Sequence, residues 1–236
     1  MDKTLALDSV ATRERFVWEA SREVLNATTL TAFLREHRLP DYAALLTRAD
    51  AEPRWFWDAV LRFFDVRFYR PYTQVLDTSA GIPWASWCVG GETNLVLNCL
   101  DRYRGTPTWL RTAIVWEGEN GGQRRWSYAE LDAETSRLAG ALRALGLGRG
   151  DVIALYMPMV PEIAAAYFAI AKIGAIVMPL FSGFGPQPIF DRLVDSDARA
   201  VITVDSGWRR GKRVAMKAVL DDAASRLPAL RNIVVL

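Results

Sequence analysis

Histidine is almost missing from this chain of 236 residues: His37 is the only one, and cysteine occurs twice, as Cys88 and Cys99. So few nitrogen and sulfur ligands exclude a structural zinc site, which wants four such donors. They also exclude a disulfide scaffold, which suits a reducing cytoplasm. His37 sits among Arg35, Glu36 and Arg38 and is expected to be solvated, so no serine–histidine–aspartate set can be built around it. An excess of one charge is lacking as well. Lys and Arg number 29 against 27 Asp and Glu, a formal charge of +2, whereas a dedicated nucleic-acid binder carries a dominant basic footprint. Long apolar runs are absent too. Val152–Phe181 is broken by Glu162, Lys172, Pro158, Pro161 and Pro179, so no piece approaches the roughly 20 residues of a membrane span. The first thirty residues carry too many charges for a signal-peptide core. What the chain does have is 51% hydrophobic residues, enough for a real core.

That apolar content is arranged in two styles. Residues 1–110 read as a helical and irregular N-terminal extension. Within it, Asp50-Ala-Glu-Pro53 opens a helix whose residues Trp57, Val60, Leu61 and Phe64 share one face, expected to dock on a neighbouring sheet. From Arg70 to Arg111 periodicity is weak and turn formers are frequent, as in an ordered crossover. Residues 111–236 read as an α/β subdomain. Thr112–Trp116 and Arg124–Ser127 flank Asn120-Gly121-Gly122, a hairpin signal, and Ser127-Tyr-Ala-Glu130 matches a capping box opening a helix that Gly146 stops.

Beyond it the chain alternates. Val152–Met157, Ala175–Leu180, Ala200–Val204 and Asn232–Leu236 are short apolar runs of the kind buried on both faces. Helical stretches follow the first three: Pro161–Lys172, Pro186–Asp197 and Val214–Leu227. Three strand–helix–strand units predict a parallel sheet with helices on both faces. Ligands then belong in the loops at the carboxyl ends of the strands. The fourth strand ends with the last residue, so the chain looks cut, and its unpaired sheet edge is expected to invite self-association.

Two glycine patterns fail on spacing. Gly146-Leu-Gly148-Arg-Gly150 follows a helix instead of a strand, the reverse of a dinucleotide turn, and Gly207-Trp-Arg-Arg-Gly211-Lys212 has three residues where a P-loop has four. Two loops at the predicted binding edge survive. Arg209-Arg210-Gly211-Lys212-Arg213 is either a solvated loop or an anion site built on guanidinium forks. Phe181-Ser-Gly-Phe-Gly-Pro-Gln187 offers aromatic faces with glycines that admit a ligand to the backbone. Together they suit a nucleotide-like molecule.

Several segments then fall into a familiar order: Trp87-Cys-Val-Gly-Gly91, Asn94–Arg102, Tyr156-Met-Pro-Met-Val-Pro-Glu162, Phe181-Ser-Gly-Phe184 and Val201-Ile-Thr-Val-Asp205 with its arginine loop. From about Asp41 onward the chain resembles the N-terminal part of an AMP-forming acyl-CoA synthetase, in the acetyl-, propionyl- and acetoacetyl-CoA synthetase-like branch of the adenylate-forming enzymes. The resemblance implies a ligase for which a small carboxylic acid, Mg·ATP and CoA come together, forming an acyl-adenylate and then a thioester. It also implies that Phe181, Ser182, Gly183 and Phe184, with Arg209, Arg210, Gly211 and Lys212, hold the nucleotide end of CoA.

Three substitutions depart from the family pattern: Ser182 stands for a glycine, Lys212 for an arginine, with Arg210 or Arg213 as the candidates to make up the lost fork, and Tyr103 for the histidine of an Asp-Arg-His triplet, here Asp101-Arg102-Tyr103. No ATP motif, hinge aspartate or catalytic lysine is found, so no catalytic or metal-binding residue is expected in this segment. Two function readings stay open at this level. One is the CoA-binding portion of a cytoplasmic synthetase, inactive alone, with no nucleic-acid or membrane partner. The other is a truncated non-catalytic homologue that binds a nucleotide or a partner protein. The first requires Phe181 and Arg209 to face one another across one rim of the sheet.

Overall fold

The computed structural model describes residues 17–227 and 230–236. The described residues divide into two compact units, residues 17–66 with 72–90 and residues 67–71 with 91–227 and 230–236.

In the first unit, helices α1 (Arg22–Asn26), α2 (Thr29–Glu36), α3 (Tyr42–Ala51) and α4 (Pro53–Phe63) precede an antiparallel pair, β1 (Gln74–Asp77) and β2 (Ser86–Val89). Each of the first three helices starts where a side chain satisfies a free amide: Ser21, Thr28 and Asp41 accept from Val24, Thr31 and Ala44. α4 instead starts on Pro53, which has no amide to satisfy. Its buried stripe is Phe56, Ala59, Val60 and Phe63, packed on Phe33 and Leu45. The stripe expected from sequence is therefore offset. Trp57 and Phe64 are exposed, and Trp57 meets Trp87 of β2 edge-on at 5.5 Å. His37 is not solvated either: its ring lies 4.4 Å from Phe33 and 5.4 Å from Trp55.

The second unit starts with α5 (Leu95–Cys99) and the hairpin β3 (Thr112–Glu117) and β4 (Gln123–Ser127). Residues 91–110, grouped with the extension on sequence, pack inside this unit: Val96 and Leu100 share a core cluster with Leu131 and Ala165. Beside that cluster Asp132 accepts from Arg104 at 2.8 and 2.7 Å and from Lys172 at 3.1 Å, tying the segment to two helices. The first of these, α6 (Tyr128–Ala144), opens with the expected capping box of Ser127 and Glu130, and the chain leaves it at Gly146 with φ 79°.

The alternation that follows gives β5 (Val152–Tyr156), α7 (Pro161–Lys172), β6 (Ile176–Pro179), α8 (Pro186–Asp195), β7 (Ala200–Thr203), a short hairpin of β8 (Gly207–Arg209) and β9 (Lys212–Val214), α9 (Met216–Ala224) and β10 (Asn232–Val235). Strands β10, β7, β5 and β6 lie side by side in that order, all parallel. Alternate residues feed two cores. Ile153, Leu155, Ala200 and Ile202 meet α6 and α7 on one face, while Ala154, Tyr156 and Val201 meet α8 and α9 on the other.

The order 10-7-5-6 fixes where a ligand can enter. The chain leaves β5 toward α7 on one face and leaves β7 toward α9 on the opposite face. Between the carboxyl ends of these neighbours the connections diverge and open a crevice, the switch point of a doubly wound sheet. One expectation is overturned here. The basic segment expected as an open loop is a β-hairpin, with Arg209 paired to Lys212 across a two-residue turn.

Candidate functional site

Four chain segments meet at that crevice: the β3–β4 turn, the residues after β5, the loop after β6 and the β8–β9 hairpin. They wall a cavity of about 380 Å³, with Trp116, Glu119, Met159, Ser182, Trp208 and Arg209 among its lining residues. A larger cavity of about 620 Å³, bordered by the Arg124–Glu162 ion pair and Leu236, is lined by none of residues 181–184 or 209–212.

The aromatic loop is shaped from below. Tyr156, the last residue of β5, is fully buried, and its hydroxyl donates to the carbonyl of Phe184 at 3.1 Å. Burial pushes the Tyr156 phenol above its ordinary value, opposed by the positive charge of Arg209, so it stays protonated and keeps donating. The Phe184 amide donates to the Phe181 carbonyl at 2.9 Å, closing a tight turn. The two rings then meet edge-on with centroids 5.5 Å apart, and the Arg192 guanidinium caps Phe184 at 4.4 Å. Phe181 remains exposed at the rim.

The cationic hairpin comes down beside it. Arg210 and Gly211 form its turn with φ of 51° and 72°, the left-handed pair that joins two twisted strands in two residues. Because Arg209 and Lys212 are directly paired, their side chains leave the same face of the hairpin. The Arg209 guanidinium lies 4.7 Å over the Phe181 ring. It also fills the space above Gly183, where an added Cβ would stand 1.9 Å from Arg209 Nη1. Only a residue without a side chain at 183 leaves that seat free.

Lys212 and Arg210 are exposed, and neither side chain forms an ion pair with an acidic side chain among the described residues. Arg213 belongs to the hairpin's other face, where its Nε donates to Ser206 Oγ at 2.7 Å, so it does not substitute for Lys212. Of the residues predicted from sequence, Phe181, Gly183 and Arg209 are in mutual contact. Ser182 lines the cavity, Lys212 sits across the hairpin from Arg209, and Phe184 supports the ring at the rim.

Sequence reasoning missed two contributors. One is the supporting role of Tyr156, which the sequence offered only as the end of an apolar run and the start of a family segment. The other is Glu119, at the tip of the β3–β4 turn, whose two carboxylate oxygens accept from the Arg210 and Gly211 amides at 2.8 and 2.7 Å. The Gly211 and Arg210 amides hold its carboxyl below the usual glutamate range. No local pattern could have announced a contact spanning 91 residues.

The arrangement is an aromatic plate, a guanidinium seated on it and an ammonium beside it. It can stack a flat base and bind a phosphate in one reach. Gly183 leaves room for the guanidinium, and Lys212 adds a second cation on the same hairpin face. Among the described residues no three His, Cys, Asp or Glu side chains gather as a metal site, so none is assigned to Mg. Nor is any helix among them long and apolar enough to cross a membrane.

A family model for AMP-binding enzymes matches residues 104–236, more than half of the chain. The chain belongs to that family. A second model, for the acetyl-coenzyme A synthetase N-terminus, matches residues 42–99. Among curated relatives, acetyl-coenzyme A synthetase of Deinococcus radiodurans is 40% identical over 184 residues, covering 78% of this chain and 28% of that protein. The Escherichia coli K12 acetyl-coenzyme A synthetase is 39% identical over 200 residues, covering 83% and 30%. A 3-hydroxypropionyl-coenzyme A synthetase of Metallosphaera sedula is 36% identical over 192 residues, covering 81% and 29%. The solved acetoacetyl-CoA synthetase of Streptomyces lividans superposes with a TM-score of 0.84 at 29% identity, over 92% of this chain and 34% of that one. The α/β architecture and the membership of the acyl-CoA synthetase-like branch follow. The chain thus spans about a third or less of the proteins it matches, and corresponds to their N-terminal part.

Proposed function

We propose that this chain is the part of an acyl-CoA synthetase that grips the nucleotide end of CoA. In the reaction proposed for the whole protein, a carboxylate attacks the α-phosphate of Mg·ATP and pyrophosphate leaves. The CoA thiol then attacks the acyl carbon, a thioester forms and AMP leaves. The residues in hand bind and orient CoA for the second step; adenylation falls to chain outside this segment. Phe181 offers its free face to adenine, a stack worth about 1–3 kcal/mol in nucleic-acid systems. Arg209 and Lys212 share the ribose phosphate through charge-assisted bonds, about 1.5–3 kcal/mol each once shielded from water. Lys212 supplies a point charge where an arginine would supply a fork, so orientation at the phosphate rests on Arg209.

The observation that carries this reading is the Arg209 guanidinium lodged against Gly183 and over Phe181, on the hairpin face it shares with Lys212. Titration calorimetry of the chain with CoA and with 3′-dephospho-CoA tests it. Wild type should prefer CoA, and Arg209→Ala should erase that preference. Equal affinities for the two ligands in wild type would refute the assignment and favour a module that serves some other partner.

A further inference from the structure

Two features of the rim are unexplained by ligand binding alone. Arg210 holds a left-handed backbone, φ 51°, that a residue with a side chain adopts at a cost. Both amides of that turn are spoken for by one carboxylate, at 2.8 and 2.7 Å. That carboxylate, Glu119, is itself presented by a fixed loop. The Gly118 amide donates to the Gly122 carbonyl at 2.8 Å and the Gly121 amide to the Gly118 carbonyl at 2.9 Å. Gly122 N–H also donates to Asn120 Oδ1 at 3.1 Å. The strand leading into the loop is pinned below it, where Trp116 Nε1 donates to the Met159 carbonyl at 2.6 Å. A braced acidic tip therefore clasps a strained basic tip, and the hairpin so clasped is the one that bears Arg209 and Lys212.

We propose that Glu119 is a positioning residue: by accepting both turn amides of the β8–β9 hairpin it holds Arg209 and Lys212 on the face turned toward Phe181, and so sets the preference for CoA's ribose phosphate. The inference rests on the reading of this rim as a CoA site. Glu119 works through geometry against its own charge. A carboxylate near a phosphate site opposes the anion, so its presence there is useful only if ordering the cations outweighs that repulsion. The three-residue β8 and β9 are anchored at their base, where Gly207 is buried against Pro158 and Met216 and Val214 packs on the core, but a ribbon this short is marginal at its tip without a further tie. Released from Glu119, the turn can leave the left-handed region and carry Arg209 off its seat. The phosphate-ready arrangement is then only fractionally populated, and the apparent affinity falls by that fraction.

The test compares wild type, Glu119→Ala, Glu119→Gln and the double variant Glu119→Ala/Arg210→Gly, each as the full chain. Calorimetry with CoA and 3′-dephospho-CoA is combined with amide hydrogen exchange over residues 207–214. Glu119→Ala is expected to bind CoA roughly tenfold more weakly, as for a site competent about a tenth of the time, with 3′-dephospho-CoA unaffected and exchange in the hairpin accelerated. Glu119→Gln, which keeps one carbonyl acceptor, should fall between. Glycine takes the left-handed turn without help, so the double variant should slow exchange again and recover part of the selectivity. If Glu119→Ala binds CoA as well as wild type, or more tightly, Glu119 is a bystander or a competitor and the proposal is overturned. Unchanged exchange in Glu119→Ala overturns the clasp itself. A wild type with no preference for CoA removes the site reading and Glu119's role in ligand choice together, while the exchange comparison still judges the clasp independently.

Discussion

Replacing Gly183 with alanine adds one methyl group at the most crowded point of the rim. Its Cβ would stand 1.9 Å from Arg209 Nη1, 2.5 Å from Cζ of the same guanidinium and 2.8 Å from Phe181 Cε1. Ordinary contact lies near 3.5 Å, so the guanidinium must retreat by about 1.5 Å or swing away. The backbone at 183 lies outside the left-handed region, so alanine itself is tolerated. The displaced atoms are the far end of a flexible side chain, and the fold should absorb the change. Losing the cation–ring contact costs about 0.5–1 kcal/mol at an exposed site, while stiffening the unfolded chain returns about 0.4–1 kcal/mol. Unfolding free energy should therefore stay within about 0.5 kcal/mol of wild type. Binding should not. One charge-assisted phosphate bond lost is about 1.5–3 kcal/mol, or roughly ten- to hundredfold in affinity. Calorimetry with CoA beside urea unfolding separates the two quantities. Gly140→Ala, where nothing lies within 4 Å of the added carbon, is the control. A Gly183→Ala protein that folds normally and binds CoA as tightly as wild type would refute the claim that the guanidinium's seat is what recognises the ligand.

Three further perturbations address the supports of the fold. Tyr156→Phe leaves the Phe184 carbonyl without its donor and should lower stability by about 0.5–1.5 kcal/mol, read by urea unfolding, with a smaller loss of CoA affinity; no loss of either would deny the phenol its role. Asp132→Asn removes the carboxylate between Arg104 and Lys172. With Asp132 well buried but Arg104 half exposed, about 2–3 kcal/mol should be lost, less than for a fully buried pair, and a change under about 0.5 kcal/mol would mean the ions are solvated as well without it. Tyr72, whose hydroxyl donates to Asp58 at 2.6 Å, is pushed up to about 12 by burial and by that carboxylate. A raised phenol contributes stability that is whole below its ordinary value of 10 and fades as pH climbs from there toward 12. Spectrophotometric titration should find two late tyrosines, Tyr72 and Tyr156, of which Tyr72→Phe removes one, together with part of the alkaline loss of stability.

Much of this architecture was legible because it is written in local periods. The runs at Val152, Ala175, Ala200 and Asn232 all became parallel strands; the first and third are buried as their apolar faces foretold, while the second and fourth form the half-exposed edges of the sheet. Pro161, Ser127 with Glu130, and Gly146 mark helix ends by backbone chemistry alone. The meeting of Phe181 with Arg209 was also legible, since a helix and a strand between them return the chain to the same sheet edge. The β8–β9 hairpin was not. Its strands are three residues each, and arginine occupies the first turn position where asparagine or aspartate usually announces the turn. On α4 the apolar residues are nearly continuous from Trp55 to Phe64, so period alone could not choose between adjacent stripes; packing on Phe33 and Leu45 chose. Glu119 and Tyr156 escaped for one reason: their partners are set by the sheet order, which no window of sequence contains.

The hydroxyl that joins Tyr156 to Phe184 reaches from the middle strand of the sheet to the lip where Phe181 stands. A ring anchored among Ile189, Leu193 and Met216 cannot drift without those neighbours giving way. The aromatic lip consequently has no soft mode of its own. On warming it should lose its shape in the same cooperative event that melts the sheet, while the hairpin opposite, hung from a surface carboxylate, loosens degrees earlier, so that heat dulls the recognition of phosphate before that of the base.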